Sequence, residues 1–149
     1  MESKPTLSYM DRHIDHRGSV YCAVDNMSDA DIKRTYVVHN WQRGRIRAWH
    51  GHKSGWTGLH VIAGAAKVVA IPIATEGEQM CNRKSVVLSD KRPGIFWVPP
   101  GWYNGHMSLE DNTVILVYST HTFEEVKSDD VRQDLTDADK AFYFDVRDR

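Results

Sequence analysis

Two imidazoles spaced two residues apart are the first groups in this sequence with obvious chemistry. If Ile46-Arg47-Ala48-Trp49-His50-Gly51-His52-Lys53 is a β-strand, Ile46, Ala48, His50 and His52 share one face, and Arg47, Trp49, Gly51 and Lys53 share the other. Facing the inside of a curled sheet, such a pair can take a proton from a bound molecule near neutral pH, where histidine changes charge. On an outward face the same pair is only surface.

The elements that must position this pair read as short strands. Residues 20–24, 32–41, 59–63, 66–73, 85–88, 95–98 and 113–119 are rich in β-branched, aliphatic and aromatic side chains. Turn signals separate them: Asp15-His16-Arg17-Gly18, Gly44, Gly64, Pro93-Gly94 and Pro99-Pro100-Gly101. Residues 74–84 read as a loop, and the run 113–119 reads as a central strand. Between Phe123 and Asp139 the charge density rises while Val131, Leu135 and Ala138 recur at helical spacing, so one short helix is expected there. Residues 141–149 alternate Phe142 and Phe144 and fit either a helix or an edge strand. Many short strands at regular spacing imply an all-β fold, an antiparallel jelly-roll barrel with at most one or two short helices near the C-terminus.

Composition narrows the function classes. A chain of 149 residues, 41% hydrophobic, has the length and apolar content of one domain with one core. Its 19 Lys+Arg nearly cancel its 20 Asp+Glu, and no basic run marks a nucleic-acid footprint. Cys22 and Cys81 lie in no metal or redox spacing, which fits a reduced, cytoplasmic setting. No apolar run is long enough for a membrane span.

Four stretches, in order and spacing, resemble the cupin-fold dTDP-4-dehydrorhamnose 3,5-epimerases: Asp15-His16-Arg17-Gly18, Ile46-Arg47-Ala48-Trp49-His50, Phe96-Trp97-Val98-Pro99-Pro100-Gly101-Trp102 and Val117-Tyr118. The first half is equally similar to the dTDP-sugar 3,4-ketoisomerases, through Ile32-Lys33-Arg34-Thr35-Tyr36 and Arg47-Ala48-Trp49-His50-Gly51-His52-Lys53. The resemblance implies a cofactor-independent isomerase, a homodimer, acting on a nucleotide-diphosphate sugar that carries a 4-ketone. Both groups begin by removing a proton beside the carbonyl to give an enolate, and they differ in where it returns. The epimerase at C3 and/or C5 is the first expectation and the 3,4-ketoisomerase the alternative.

By resemblance, His50 takes the place of the base and Tyr118 that of the acid, with His52 as a competing acid or second base. A phenol of pKa ~10 stays protonated at neutral pH and can donate to a carbanion. Arg47 and Arg17 match positions that contact the diphosphate, for which guanidinium is suited. Lys53, Tyr36, Trp56, Asn104 and His106 are further substrate-binding candidates. The epimerases' lysine beyond the base histidine is missing, where this chain reads Trp56-Thr57-Gly58-Leu59-His60. The aspartate that supports the histidine would be Asp137, Asp139 or Asp145. A metal-binding cupin built on His50, His52, His60 and His106, or a non-catalytic binder of sugar nucleotides, are the alternatives of another class.

Overall fold

The computed structural model describes residues 3–25 and 31–146 and is built on two five-stranded antiparallel sheets. The first has the order β1 (Thr6–Tyr9), β9 (Gly94–Val98), β6 (Thr57–Ala63), β11 (Thr113–Ser119) and β4 (Arg34–Asn40). The second runs β12 (Asp130–Arg132), β5 (Ile46–His52), β10 (Trp102–Ser108), β7 (Ala65–Pro72) and β8 (Lys84–Ser89). A separate hairpin joins β2 (Arg12–Asp15) to β3 (Gly18–Tyr21) through the expected Asp15–Gly18 turn. The antiparallel jelly roll read from strand spacing is the fold observed.

Leu59, Val61, Val68, Leu88, Phe96, Ile115 and Val117 form a fully buried core fed by both sheets. Each such side chain contributes about 1.5–3 kcal/mol by leaving water. A second cluster, Trp49, Val69, Ile71, Tyr103 and Met107, lies on the back of the second sheet and packs with Tyr143 and Phe144. Helix α3 (Asp137–Tyr143) supplies that cover. Between β6 and β7 the chain turns at Gly64, whose φ of +86° favours glycine.

The two short C-terminal helices fall within expectation, but an earlier helix and the strand between the C-terminal two do not. Residues 74–84 contain α1 (Glu76–Asn82), which begins in a capping box between Thr75 and Glu78. The C-terminal region holds two helices, α2 (Phe123–Asp129) and α3, separated by β12, because Val131 joins the β5 ladder opposite Gly51. Strand β10, unread in the sequence, sits between β5 and β7. Residues 147–149, part of the ambiguous tail, lie outside the described residues. No helix among the described residues is long and apolar enough to cross a membrane.

Candidate active site

A register shift in β5 builds the site. Asn104 pairs with His50 and His106 with Arg47, so three residue steps on β5 face two on β10. This one-residue β-bulge flips the side-chain parity between Arg47 and His50. Strict alternation would have set Arg47 against the two histidines; instead Arg47, His50 and His52 all open into one cavity of about 310 Å³. Opposite the bulge stands Gly105, where a Cβ would fall 2.5 Å from Ala48 Cβ and 3.0 Å from Trp49 Cε3. Only a residue without a side chain lets the bulged strand close against β10.

The cavity lies between the two sheets, beyond the core. Tyr36 enters it from β4, and Asn104 and His106 from β10. The structure therefore brings together His50, His52, Arg47, Tyr36, Asn104 and His106. Four other candidates lie elsewhere. Tyr118 follows the core residue Val117 on β11 and turns to the outer face of the first sheet, where its hydroxyl meets His60 Nδ1 at 3.1 Å. There the two rings stack near-parallel, and Tyr21 hydroxyl meets His60 Nε2 at 3.2 Å. A phenol on that face cannot act across a ring from His50. Arg17 is 79% exposed at the hairpin tip and paired with Asp15 at 2.6 Å. Lys53 is exposed beyond the end of β5. Trp56 is half-buried, and its amide donates to Thr120 Oγ1 at 2.9 Å, away from the cavity lining.

Sequence reasoning missed three further charged wall residues. Arg34 reaches the cavity from β4 and Arg132 and Asp130 from β12. Arg34 lies over the Tyr36 ring with its guanidinium carbon 4.8 Å from the centroid, and its buried Nε has no hydrogen-bond partner. The signal for Arg34 was present, two residues before Tyr36 on the same strand face. Arg132 gave none, because residues 123–139 read as helix.

Hydrogen bonds assign the state of His106. Arg47 Nε donates to Asn40 Oδ1 at 2.7 Å, which directs the amide nitrogen of Asn40 to His106 Nε2 at 3.0 Å. A ring nitrogen that accepts carries no proton, so neutral His106 is protonated on Nδ1. Burial, Arg47 and His50 push its pKa down from 6.5 to about 4. His50 is also lowered, first by burial and then by Arg132 and Arg47, with Asp130 opposing. His52 is lowered by burial against the pull of Asp129 and Asp130. Tyr36 is raised by burial, with Arg34 working against it. The cavity thus holds imidazoles biased to the neutral, proton-accepting form beside three guanidinium groups.

Two of the aspartates expected behind His50 are engaged elsewhere. Asp137 pairs with Lys140, and Asp139 caps α3 and accepts from Trp49 Nε1 at 3.2 Å. The other histidine of the pair has an acidic neighbour: Asp129, buried at the end of α2, lies 3.6 Å from His52 Nδ1. The all-histidine metal set does not assemble, since His60 faces away from the cavity. Among the described residues no group of three or more His, Cys, Asp or Glu is arranged to hold a metal.

Residues 3–137 match the family described as FdtA: WxcM-like, C-terminal. No curated protein matches the chain. Among solved structures, the chain is similar to the Legionella pneumophila epimerase RmlC in complex with dTDP-4-keto-L-rhamnose, at 18% identity and a TM-score of 0.77 over 92% of this chain and 76% of that one. A mutant of the 3,4-ketoisomerase QdtA from Thermoanaerobacterium thermosaccharolyticum, in complex with TDP-4-keto-6-deoxyglucose, matches at 20% identity and a TM-score of 0.70 over 89% of this chain and 90% of that one. The Streptomyces bikiniensis 3'-monoepimerase ChmJ, in complex with dTDP-quinovose, matches at 14% identity and a TM-score of 0.74 over 93% and 82%. At these identities the likeness is one of fold.

Proposed function

The chain belongs to the family described as FdtA: WxcM-like, C-terminal, and from that membership and the make-up of the cavity we propose that it is a 3,4-ketoisomerase of a nucleotide-linked 4-keto-6-deoxy sugar. One observation carries the choice over an epimerase. His50 and His52 open into the same cavity as Tyr36, whereas Tyr118, the expected epimerase acid, does not.

The chemistry needs a base, a way to move the hydroxyl protons and a group to steady the enolate. The C3–H beside a C4 carbonyl is acidic, and neutral His50 removes that proton. Its electron pair becomes the C3–C4 double bond of an enediolate with negative charge on O4. His106, with its proton on Nδ1, is a donor of the kind that steadies such an oxygen. Either Tyr36 gives its phenol proton to O4 and is refilled from O3, or neutral His52 takes the O3 proton and hands it to O4; His50 then returns its proton to C4. The product is the 3-ketone, with every atom of the substrate retained. No step calls on a cofactor. Arg34, Arg132 and Arg47 supply guanidinium groups for the diphosphate, two of them with no counterpart in the sequence reading.

The test is a panel of dTDP-, GDP- and CDP-linked 4-keto-6-deoxy sugars followed by NMR in deuterated water. A 3-ketone product that disappears in His50→Ala, with nucleotide binding nearly intact, is the expected result. A 4-ketone product inverted and deuterated at C3 or C5 would instead identify an epimerase in which Tyr36 replaces Tyr118. Binding with neither product nor exchange would leave only a sugar-nucleotide binder.

A further inference from the structure

Behind His52, away from the sugar-binding space, one buried carboxylate faces two imidazoles. Asp129 Oδ1 accepts from the Ser54 amide and the Ser54 hydroxyl, both at 2.8 Å, and Oδ2 accepts from the Gly55 amide at 3.0 Å. These three donors hold the acid in place, and against the cost of burial they keep its pKa low, so it is ionised. Gly55 is part of the fit, because a Cβ there would lie 3.0 Å from Asp129 Oδ2 and 3.2 Å from His121 Cγ. His52 Nδ1 is 3.6 Å from Oδ2 on one side, and His121 Nε2 is 3.7 Å from the same oxygen on the other.

Proton positions follow from the donors. The one hydroxyl proton of Ser54 goes to Asp129, so the 2.9 Å contact between Ser54 Oγ and His121 Nε2 requires His121 to donate from Nε2. His52 Nδ1 is buried with no hydrogen-bond partner. The anion beside it favours the tautomer with its proton on Nδ1, which leaves Nε2 as the basic nitrogen.

We propose that His121 is a positioning residue for His52: the two imidazoles share one carboxylate oxygen, and His121 competes with His52 for it. His121 stands in the segment between β11 and α2, on the other side of Asp129 Oδ2 from His52. By competing for Asp129 it weakens the carboxylate's hold on a proton at His52 and so lowers the proton affinity of His52. The other charged groups acting on His52 are Asp130 on β12, which pulls the opposite way, and Arg34 on β4, which acts in the same direction. This role deepens the isomerase reading, in which His52 moves the hydroxyl protons, yet the coupling exists with or without a substrate.

The decisive measurement is an NMR titration of the full chain labelled at histidine, without ligand, with the His52 signal assigned by its loss in His52→Gln. In His121→Gln, which keeps a side-chain donor for Ser54, the His52 midpoint should rise by about half a pH unit, a threefold gain in proton affinity. In Asp129→Asn it should fall. If Asp129→Asn does not fold, His121→Asn provides a second removal of the competing imidazole and should reproduce the rise. An unmoved His52 midpoint in both His121 variants overturns the proposal, even if their melting temperatures drop. The acid limb of kcat/KM should shift with the NMR midpoint. A protein inactive on every sugar but showing the coupled titration would sink the isomerase reading and leave this one standing.

Discussion

Replacing His106 by glutamine should remove a defined part of the protein's acid sensitivity. The imidazole is 6% exposed and its pKa falls from 6.5 in the unfolded chain to about 4 in the folded one. Between those values the unfolded chain binds more protons than the folded one, so stability falls as pH drops from about 6.5 to about 4 and then levels off. The full gap is worth about 3.4 kcal/mol, of which about 2 kcal/mol is already lost at pH 5 and only about 0.2 kcal/mol at pH 7. Glutamine keeps an acceptor for the Asn40 amide and takes up no proton. Urea unfolding of both proteins at pH 7 and pH 5 gives the comparison. Wild type should lose about 2 kcal/mol more than His106→Gln between the two pH values. His50, His52 and His60, all lowered by burial, push both proteins in the same direction and cancel in the difference. Equal losses to within about 0.5 kcal/mol would refute a His106 held neutral by burial.

Three other perturbations separate the site from its surroundings. Tyr118→Phe should keep turnover within about twofold while costing about 1 kcal/mol in a melt, the loss of one hydroxyl partner for buried His60; a large fall in kcat would return Tyr118 to the mechanism. Arg34→Ala should raise KM about tenfold with kcat little changed, as for a lost phosphate contact, whereas Arg17→Ala should bind substrate like wild type in direct titration. Gly105→Ala forces a methyl onto Ala48 and Trp49 and should cost about 1–3 kcal/mol in denaturant unfolding; a melt like that of wild type would show that the bulge does not depend on this glycine.

The strands came through in the sequence wherever composition and punctuation agreed. Residues 113–119 match β11 to the residue, and the β6–β7 hairpin turns at Gly64 as read. Strand β10 escaped notice because Trp102-Tyr103-Asn104-Gly105-His106 mixes polar and aromatic residues, which is how a strand looks when one face lines a cavity and the other packs on a core. Helix α1 was masked by Gly77, although Thr75 and Glu78 have the spacing of a capping box; Thr122 with Glu125 and Thr136 with Asp139 repeat the signal at the other helices. Recognising those pairs would have split the C-terminal region into two helices and exposed the strand between them, with Asp130 and Arg132 on it.

The site itself was half legible, and the limit was one of parity. In a strand the side-chain period is two, so a slip of a single residue decides which groups meet. On β11 both faces are apolar enough to hide which one looks inward, and the motif match set Tyr118 against His50 with no test of direction. Ile115 and Val117 take the inward positions, so the next residue must leave the cavity. On β5 the reverse occurs: alternation separates Arg47 from His50, and the bulge opposite Gly105 reunites them. That insertion leaves no mark in β5 itself, only a glycine in the partner strand. It joins the guanidinium that orients Asn40, and through it His106, to the face that carries the two histidines. Straightening β5 by one residue would keep every side chain of the sequence and disperse the chemistry.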